Sequence, residues 1–297
     1  MTDNHDIMEE LILEESTAIA RQYRINQVQA AERLRSEFGC NPKVKDLVAK
    51  ASRAADVRRT RHYRNIVTRI RKDIYYDLRR YVKAEGELEQ AVIGLENVNP
   101  KTPSRDIDHL FRQVVNCHES TKERLDQLET FNACILEYLE NARTIVDVGC
   151  GVYPLVFPIR NGQSLVALDT DEMAIRAVNA WSQLQAHRHV EAIRWSLEDG
   201  WGKVSPLQEE FTFDVALMFK LVPVVQRQNR ELLTLLAQVP AGRWIVTGSR
   251  IALAKRQNIE RRERRVLMNF ARMANRQIVA EFSIETEFGF VLDETAI

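Results

Sequence analysis

Short apolar runs alternate with segments of helical period from residue 143 onward, and this alternation constrains the fold more than any other feature of the chain. The pattern is expected of a parallel β-sheet covered by helices. Seven runs are predicted to be strands: Thr144–Val148, Leu165–Asp169, Ala192–Trp195, Phe213–Met218, Trp244–Thr247, Ile278–Phe282 and Phe288–Leu292.

The pairing of the last two predicted strands distinguishes between two classes of α/β protein. Residues 283–287, between the last two predicted strands, are too few for a crossover helix, so these strands should pair antiparallel. A seven-stranded sheet whose last hairpin is antiparallel is typical of the Rossmann-like class I methyltransferase fold. Dinucleotide-binding Rossmann domains are usually all parallel. The sequence therefore predicts the first class.

The first half of the chain contains few glycines, and its apolar residues recur at helical intervals. Gly39 is predicted to end one helix and Pro42 to open the next. A connector rich in Pro and Asn follows at residues 97–104. We therefore expect an all-helical N-terminal domain at residues 1–104 and a methyltransferase domain at residues 105–297.

The 42 basic and 42 acidic residues cancel in total but are segregated along the chain. Residues 1–20 hold six acids and no Lys or Arg, residues 50–83 hold twelve Lys and Arg against three Asp, and residues 250–276 hold nine against two acids. An apolar stripe runs through the first basic stretch: Ile66, Ile70, Ile74, Leu78 and Val82. Such basic stretches favour a phosphate-rich partner, and the alternative is solvated helix faces paired with acids elsewhere.

Composition, the length of apolar runs and cysteine spacing argue against a membrane-spanning, metal-binding or disulfide-rich protein. The 297 residues are 45% hydrophobic and 28% charged, which is ordinary for a globular chain. No stretch reaches the roughly 18–20 apolar residues that span a bilayer, and the first residues are acidic. The four cysteines have neither metal-site nor disulfide spacing. We expect a cytoplasmic protein without a metal site.

Residues 145–154, Ile-Val-Asp-Val-Gly-Cys-Gly-Val-Tyr-Pro, form an apolar strand that runs directly into a glycine turn. Gly149 and Gly151 allow a ligand to approach the backbone closely at the carboxyl edge of the sheet. Asp169 ends the next strand, twenty residues after Gly149. A carboxylate there can accept hydrogen bonds from ribose hydroxyls. The sequence therefore predicts a cofactor that contains ribose.

Two residues distinguish between the ribose-containing cofactors. Pro154 stands where the dinucleotide pattern has a third glycine, which disfavours pyrophosphate. Asp147, just before the glycines, favours a cationic ligand because an ammonium or sulfonium group tolerates a carboxylate neighbour. We predict S-adenosyl-L-methionine, and the alternative is a structural turn without a ligand.

The loops after the third and fourth strands are expected to complete the pocket. Glu198 and Asp199 are candidates to accept a hydrogen bond from the adenine amine, with a solvated loop pair as the alternative. Phe219 is expected at the floor of the pocket, beside the transferred methyl group.

Residues 219–223, Phe-Lys-Leu-Val-Pro, limit the acceptor. Enzymes that methylate exocyclic amines of bases generally carry an Asn/Asp-Pro-Pro-aromatic turn there, and this chain does not. Carbon methylation of pyrimidines needs a cysteine nucleophile, but three cysteines lie in the helical half and Cys150 lies within the glycine turn. Guanine N7, adenine N1 or a hydroxyl remain. Guanine N7 needs no general base, because its lone pair attacks once it is positioned.

Four segments resemble, in order and spacing, the aminoglycoside-resistance methyltransferases of 16S ribosomal RNA. They are residues 118–125 (His-Glu-Ser-Thr-Lys-Glu-Arg-Leu), the glycine turn with Pro154-Leu155, residues 217–223 (Leu-Met-Phe-Lys-Leu-Val-Pro) and residues 286–288 (Thr-Glu-Phe). The resemblance covers residues 105–292 well and the first hundred only in character. It implies methylation of N7 of a guanine in the decoding region, with an N-terminal helical domain that grips the ribosome.

The resemblance also implies roles for individual residues. Arg124 would contact the cofactor's carboxylate and Asp169 its ribose, while Lys220 and Pro223 would shape the target pocket. One departure is Tyr153, which stands where the family usually has Asn.

A second departure follows the fifth strand. The family's glycine-rich loop is replaced there by residues 247–253, Thr-Gly-Ser-Arg-Ile-Ala-Leu, and a basic helix is predicted from Lys255 to Arg276.

We therefore predict a monomeric RNA methyltransferase that acts on guanine N7 of small-subunit rRNA in the 30S subunit. The predicted cofactor-binding residues are Arg124, Asp147, Gly149, Gly151, Asp169, Glu198, Asp199 and Phe219. The predicted RNA-binding residues are Arg58, Arg59, Arg61, Arg64, Arg69, Arg71, Lys72, Arg250, Lys255 and Arg256.

Two other functions remain open at this point. A small-molecule methyltransferase would leave both basic stretches unexplained. A non-catalytic RNA-binding assembly factor would be favoured if Tyr153 crowded the methionine pocket.

Overall fold

A computed structural model of the chain describes residues 4–23, 25–77, 85–99, 101–185, 189–204, 212–252 and 257–295. None of the described helices is long and apolar enough to cross a membrane. The chain divides into two compact units, residues 1–80 with 252–257 and residues 81–251 with 258–297.

The first unit is helical. Its helices are α1 (Asn4–Tyr23), α2 (Gln27–Gly39), α3 (Pro42–Lys50), α4 (Ala54–Arg58) and α5 (Arg61–Asp77). The predicted break is confirmed, since α2 ends at Gly39 and α3 opens with Pro42. Proline lacks an N–H, which costs nothing in the first turn of a helix. Asn41 caps α3 by accepting a hydrogen bond from the backbone N of Val44 at 3.3 Å.

The core of the first unit is built on one face of α5. Ile66, Ile70 and Ile74 are buried with side chains from the other four helices in a single cluster. Fully burying one such side chain stabilises the fold by about 1.5–3 kcal/mol. The predicted stripe is therefore confirmed for these three residues, whereas Leu78 and Val82 lie outside the described residues.

The second unit combines helices and strands. Its helices are α6 (Glu85–Glu96), α7 (Ser104–Cys117), α8 (Glu119–Lys122), α9 (Leu128–Leu136), α10 (Glu172–Gln183), α11 (Leu221–Gln228), α12 (Leu232–Leu236) and α13 (Glu260–Met273). Its strands are β1 (Thr144–Val148), β2 (Ser164–Asp169), β3 (His189–Arg194), β4 (Phe213–Met218), β5 (Ala241–Ser249), β6 (Arg276–Ser283) and β7 (Glu287–Glu294).

The seven strands form one sheet in the order β3-β2-β1-β4-β5-β7-β6. Strands β1 to β5 run parallel, and β7 pairs antiparallel with both β5 and β6. The predicted strands, the antiparallel hairpin and the α/β class are thus confirmed. Strand β7 lies between β5 and β6, so the strand that comes last in the sequence is not at the edge of the sheet.

Helix α6 belongs to the second unit, whereas the connector at residues 97–104 predicted a domain boundary at residue 104. Leu88, Val92 and Leu95 are buried in one cluster with Ile175 and Val178 of α10. This apolar contact joins α6 to the sheet-bearing unit.

Strand β1 lies between β2 and β4, so the chain turns to opposite sides of the sheet after β1 and after β3. Open α/β sheets bind ligands at such a switch point, beyond the carboxyl ends of the strands. The segments that follow β1, β2 and β4 therefore meet at the place where a ligand is expected.

The predicted basic helix from Lys255 to Arg276 is shorter in the structure. Helix α13 begins at Glu260, because the side chain of Asn258 accepts a hydrogen bond from the backbone N of Glu260 at 3.0 Å and turns the chain there. Beyond its other end, Asn275 has a φ of 52°, a left-handed conformation that helices do not continue.

Ile70→Ala tests the core of the first unit. We expect the free energy of unfolding to fall by about 2–5 kcal/mol, because the change leaves a cavity around a residue that is 1% exposed. Urea denaturation followed by circular dichroism measures it. The control is Asn65→Ala on the exposed face of α5, for which about 0.5 kcal/mol or less is expected. Equal losses in both variants would contradict the inward orientation of Ile70.

Candidate active site

The glycine turn follows β1 and has left-handed backbone at two positions. Gly149 has a φ of 70° and Gly151 a φ of 51°, which side chains rarely tolerate. A Cβ added at Gly149 would lie 2.8 Å from Leu221 Cδ1, and one at Gly151 would lie 2.4 Å from His118 Cε1. Both positions therefore require glycine for conformation and for space.

Asp169 lies against this turn, as the spacing along the chain had suggested. Its Oδ2 accepts a hydrogen bond from the backbone N of Gly151 at 2.8 Å, and its Oδ1 accepts one from the backbone N of Asp171 at 2.9 Å. The carboxylate is thus fixed between the ends of β1 and β2. Its expected contact with a ribose remains a prediction.

Asp147 is the third component of the cofactor-binding region. It is 1% exposed, and neither carboxyl oxygen has a hydrogen-bond partner among the described residues. Burial raises the pKa of Asp147 to about 8, with Asp169 adding to the rise and Arg124 opposing it. A buried carboxyl without partners is costly, so a cationic or hydrogen-donating ligand here would relieve the cost.

Arg124 and Glu287 form a buried bidentate ion pair. Arg124 Nε lies 2.8 Å from Glu287 Oε2, and Arg124 Nη2 lies 2.8 Å from Glu287 Oε1. The rings of Phe131, Tyr153 and Phe219 lie 4.8, 5.3 and 5.1 Å from the guanidinium carbon. The guanidinium is therefore held by a carboxylate and three aromatic faces, which favours its charged form.

Lys220 continues this network at the end of β4. Its Nζ lies 2.8 Å from Glu123 Oε2 and 3.5 Å from Glu287 Oε2, and its backbone N donates to Thr247 Oγ1 at 2.9 Å. The Thr247 hydroxyl in turn donates to Glu287. Lys220 has a φ of 58°, which costs a non-glycine residue about 1–3 kcal/mol and is maintained by these contacts.

Charge compensation decides the protonation of Glu287. Burial acts to raise its pKa, but Arg124, Lys220 and the hydrogen bonds outweigh burial and hold the pKa below its usual range. Glu287 is therefore a carboxylate in the folded protein.

Glu287, Thr247, Glu123 and His118 belong to this region but were not assigned from the sequence. His118 packs directly against Gly151, and burial lowers its pKa, with Asp169 opposing. Glu287 and His118 both occur in segments that carried the family resemblance, so those segments were the signal that could have identified them.

The other predicted pocket residues differ in their surroundings. Pro223 is buried in the first turn of α11, three residues after Lys220. Asp199 accepts hydrogen bonds from Ser196 N at 3.0 Å and from Lys203 Nζ at 3.1 Å, so it already serves a local capping role. Glu198 is exposed. The adenine contact predicted for these two acids remains a prediction.

The predicted RNA-binding arginines of the first unit fall into two groups. Arg58, Arg69 and Arg71 pair with Glu14, Glu37 and Glu15 respectively. The others are exposed and form no ion pair with any residue that the structure describes: Arg59, Arg61 and Arg64. The basic stretch is therefore partly neutralised by acids of α1 and α2.

Arg250 is held within the second unit. Its Nε lies 2.8 Å from Glu260 Oε2, and its Nη1 donates to the backbone O of Ile284 at 2.9 Å. Lys255, Arg256 and the side chain of Lys72 lie outside the described residues.

Residues 44–276, which are most of the chain, match the family model described as "Ribosomal RNA methyltransferase (FmrO)". The chain belongs to this family. It is also 29% identical over 123 residues to the 16S rRNA (guanine(1405)-N(7))-methyltransferase of Micromonospora echinospora. That match covers 40% of this chain and 42% of the relative.

Solved structures share the fold. The 16S rRNA methyltransferase RmtF in complex with S-adenosyl-L-homocysteine has a TM-score of 0.58 at 18% identity, over 99% of each chain. The 16S rRNA methylase RmtB has a TM-score of 0.54 at 20% identity, over 96% of this chain and 98% of its own. The predicted class I fold and the predicted family of ribosomal RNA methyltransferases are confirmed, and S-adenosylmethionine is the cofactor predicted for the chain.

The residues present fit this cofactor. Asp147 offers to a cationic group a buried carboxyl that has no hydrogen-bond partner among the described residues, and it lies just before the left-handed backbone of Gly149 and Gly151. Among the described residues, no cluster of acids, His and Cys could hold a metal ion.

Asp147→Asn tests the protonation of the buried carboxyl. Because the pKa of Asp147 is raised in the folded protein, the neutral acid contributes its full stability at pH values below the pKa of the unfolded chain. This stability is lost progressively as the pH rises towards about 8. Asn mimics the neutral acid at every pH. We therefore expect the variant to gain on the wild type by at most about 1.4 kcal/mol per pH unit between about pH 4 and 8. Urea denaturation without cofactor at several pH values measures this, and parallel curves would contradict the prediction.

Glu287→Gln tests the buried ion pair. The variant leaves Arg124 charged and without its carboxylate, so we expect the free energy of unfolding to fall by about 3–5 kcal/mol. The double variant Arg124→Met/Glu287→Gln should lose less than the sum of the two single changes. Exposed Glu285→Gln is the matched control, with about 0.5 kcal/mol expected. Additive losses in the double variant would contradict the pairing.

Proposed function

We propose that this chain transfers a methyl group from S-adenosylmethionine to N7 of a guanine in small-subunit ribosomal RNA, within the 30S subunit. The observation that carries the proposal is the buried carboxyl of Asp147, which has no hydrogen-bond partner among the described residues and lies near the glycine turn to which Asp169 is hydrogen-bonded. Membership of the ribosomal RNA methyltransferase family supports the RNA acceptor. The relative from Micromonospora echinospora, named for guanine N7, supports the atom.

The chain's own residues would hold the cofactor by charge and by shape. When bound, S-adenosylmethionine supplies an electrophilic methyl group on a sulfonium. Asp169 would accept hydrogen bonds from the ribose hydroxyls, and Asp147 would compensate positive charge. Arg124 would meet the cofactor's carboxylate through Nη1, the guanidinium nitrogen that Glu287 does not engage.

Transfer to guanine N7 needs positioning rather than proton removal. The N7 lone pair attacks without losing a proton, so the protein has only to align the base with the methyl group. Lys220 and Pro223 would shape the pocket for the base, with Phe219 at its floor. The ion pairs of Lys220 with Glu123 and Glu287 fix its ammonium and support such a role.

Basic residues of both units would hold the RNA. In the helical N-terminal region, exposed Arg59, Arg61 and Arg64 are available to phosphates, whereas Arg58, Arg69 and Arg71 would have to exchange carboxylate partners for them. We expect a monomer to suffice, because one chain supplies every site residue. Its substrate would place the enzyme in the cytoplasm.

The deciding experiment measures methyl transfer from labelled S-adenosylmethionine to purified 30S subunits, naked rRNA and tRNA, with mapping of the labelled nucleotide. We expect label on a guanine N7 in 30S subunits. Asp169→Ala should abolish transfer because it removes the ribose acceptor, whereas exposed Glu191→Ala should retain it. No label on any RNA despite cofactor binding would overturn the proposal in favour of a small-molecule acceptor or a non-catalytic assembly factor.

A further inference from the structure

The arginines of α13 differ in whether carboxylates neutralise them. Arg264 lies 2.9 Å from Glu260 and 2.6 Å from Glu281, and its guanidinium carbon lies 4.5 Å from the centre of the Phe288 ring. Arg262 lies 3.0 Å from Glu263. These two arginines are neutralised within the second unit.

Three other arginines of the same helix have no such partner. Arg261, Arg265 and Arg272 are exposed, and their side chains form no ion pair or hydrogen bond with any described residue. With 3.6 residues per turn, positions 261, 265 and 272 lie on one face of the helix and span about 16 Å along it. They line a groove of about 610 Å³ together with Asn258, Glu260, Arg264, Met268 and Asn269.

The acidic residues of α13 do not neutralise this face, because they already form ion pairs with other arginines. Glu260 binds Arg250 and Arg264, and Glu263 binds Arg227 and Arg262. Arginines four residues apart repel each other, which costs a helix a few tenths of a kcal/mol unless something binds them. The chain as a whole has zero net charge, yet α13 keeps these like charges close together. Such a surface suits an anionic partner.

The chemistry of Arg261, Arg265 and Arg272 favours phosphate over other anions. Guanidinium groups form paired hydrogen bonds with phosphate oxygens, and successive phosphates of a nucleic acid can contact several arginines along a helix. Among the described residues that line the groove, Met268 is the only apolar one, and none carries an aromatic ring for base stacking. The surface is therefore suited to contacts with the backbone, which position RNA without reading its sequence.

We propose that Arg261, Arg265 and Arg272 form a phosphate-contact surface for folded rRNA on the unit that carries the cofactor site. This inference rests on the proposed function and adds an RNA contact to it that does not depend on the helical N-terminal unit. Helix α13 packs on β5, the strand that carries Thr247 of the site network. Contacts on α13 would therefore orient the RNA relative to the site.

The test compares the triple variant Arg261→Gln/Arg265→Gln/Arg272→Gln with the wild type. Binding to 30S subunits is measured between 50 and 300 mM KCl, and methyl transfer is measured at increasing 30S concentration. Each lost phosphate contact should reduce the slope of log affinity against log salt by about 1, so we expect a reduction of about 2–3. We expect KM for 30S subunits to rise about tenfold or more and kcat to change less than twofold.

Two control variants separate phosphate binding from loss of charge or structure. Arg105→Gln/Arg160→Gln/Arg230→Gln removes the same charge from exposed positions of the second unit and should leave the salt slope and KM within twofold of wild type. Arg261→Lys/Arg265→Lys/Arg272→Lys keeps the charge and should retain most of the slope. Binding of S-adenosylhomocysteine and the melting temperature should match wild type in all three variants, which excludes misfolding.

Equal salt slopes and KM values in the α13 variant and the charge-matched control would overturn the inference. It would also be overturned if the α13 variant kept 30S binding but lost binding to anionic phosphatidylglycerol vesicles. Failure of the proposed function is distinguishable from both outcomes, because the wild type would then transfer no methyl group to RNA.

Discussion

The carboxyl edge of the sheet depends on one buried ion pair. Arg124 and Glu287 are 163 residues apart in the chain and 2.8 Å apart at two points in the structure. Each charge alone would be expensive to bury, and the pair is stabilised by its bidentate geometry and by the hydrogen bond from Thr247. Lys220 lies close enough to the same carboxylate to be oriented by it. The pair and its neighbours thus connect the segment before the sheet, the end of β4 and the paired strands β5 and β7.

Local patterns in the sequence were sufficient for the scaffold. The strands follow from short apolar runs, and the contact between Asp169 and Gly151 follows because the carboxyl ends of neighbouring parallel strands meet at one edge. Spacing alone did not assign Glu287, because its role depends on Arg124, a partner 163 residues away, and only the segment that carried the family resemblance pointed to it. The start of α13 was missed for a smaller reason, since it depends on one local hydrogen bond, which the backbone N of Glu260 donates to the side chain of Asn258.

Charge was harder to interpret from the sequence than apolar periodicity. Acidic and basic residues are segregated along the chain, but folding brings α1 against α5, so that Glu15 pairs with Arg71 at 2.7 Å. A count of arginines in a stretch therefore overstates the positive surface that solvent and partners meet. The same count gives no hint that Arg264 pairs with Glu260 and Glu281, whereas Arg265 has no carboxylate partner in the part of the chain that the structure describes. Only the folded arrangement separates structural arginines from those available to a partner.

The position of β7 has a consequence for biosynthesis. This strand is made after all the others, yet it pairs with β5 on one side and β6 on the other. During translation the remaining strands emerge first. The charge of Arg124 is compensated by Glu287 only after Glu287 has been synthesised. Domains generally fold as units during synthesis, so the floor of the site can close only when this hairpin has left the ribosome. Each newly made chain would thus complete the Arg124–Glu287 pair late, after helices α5 and α13 have already been synthesised.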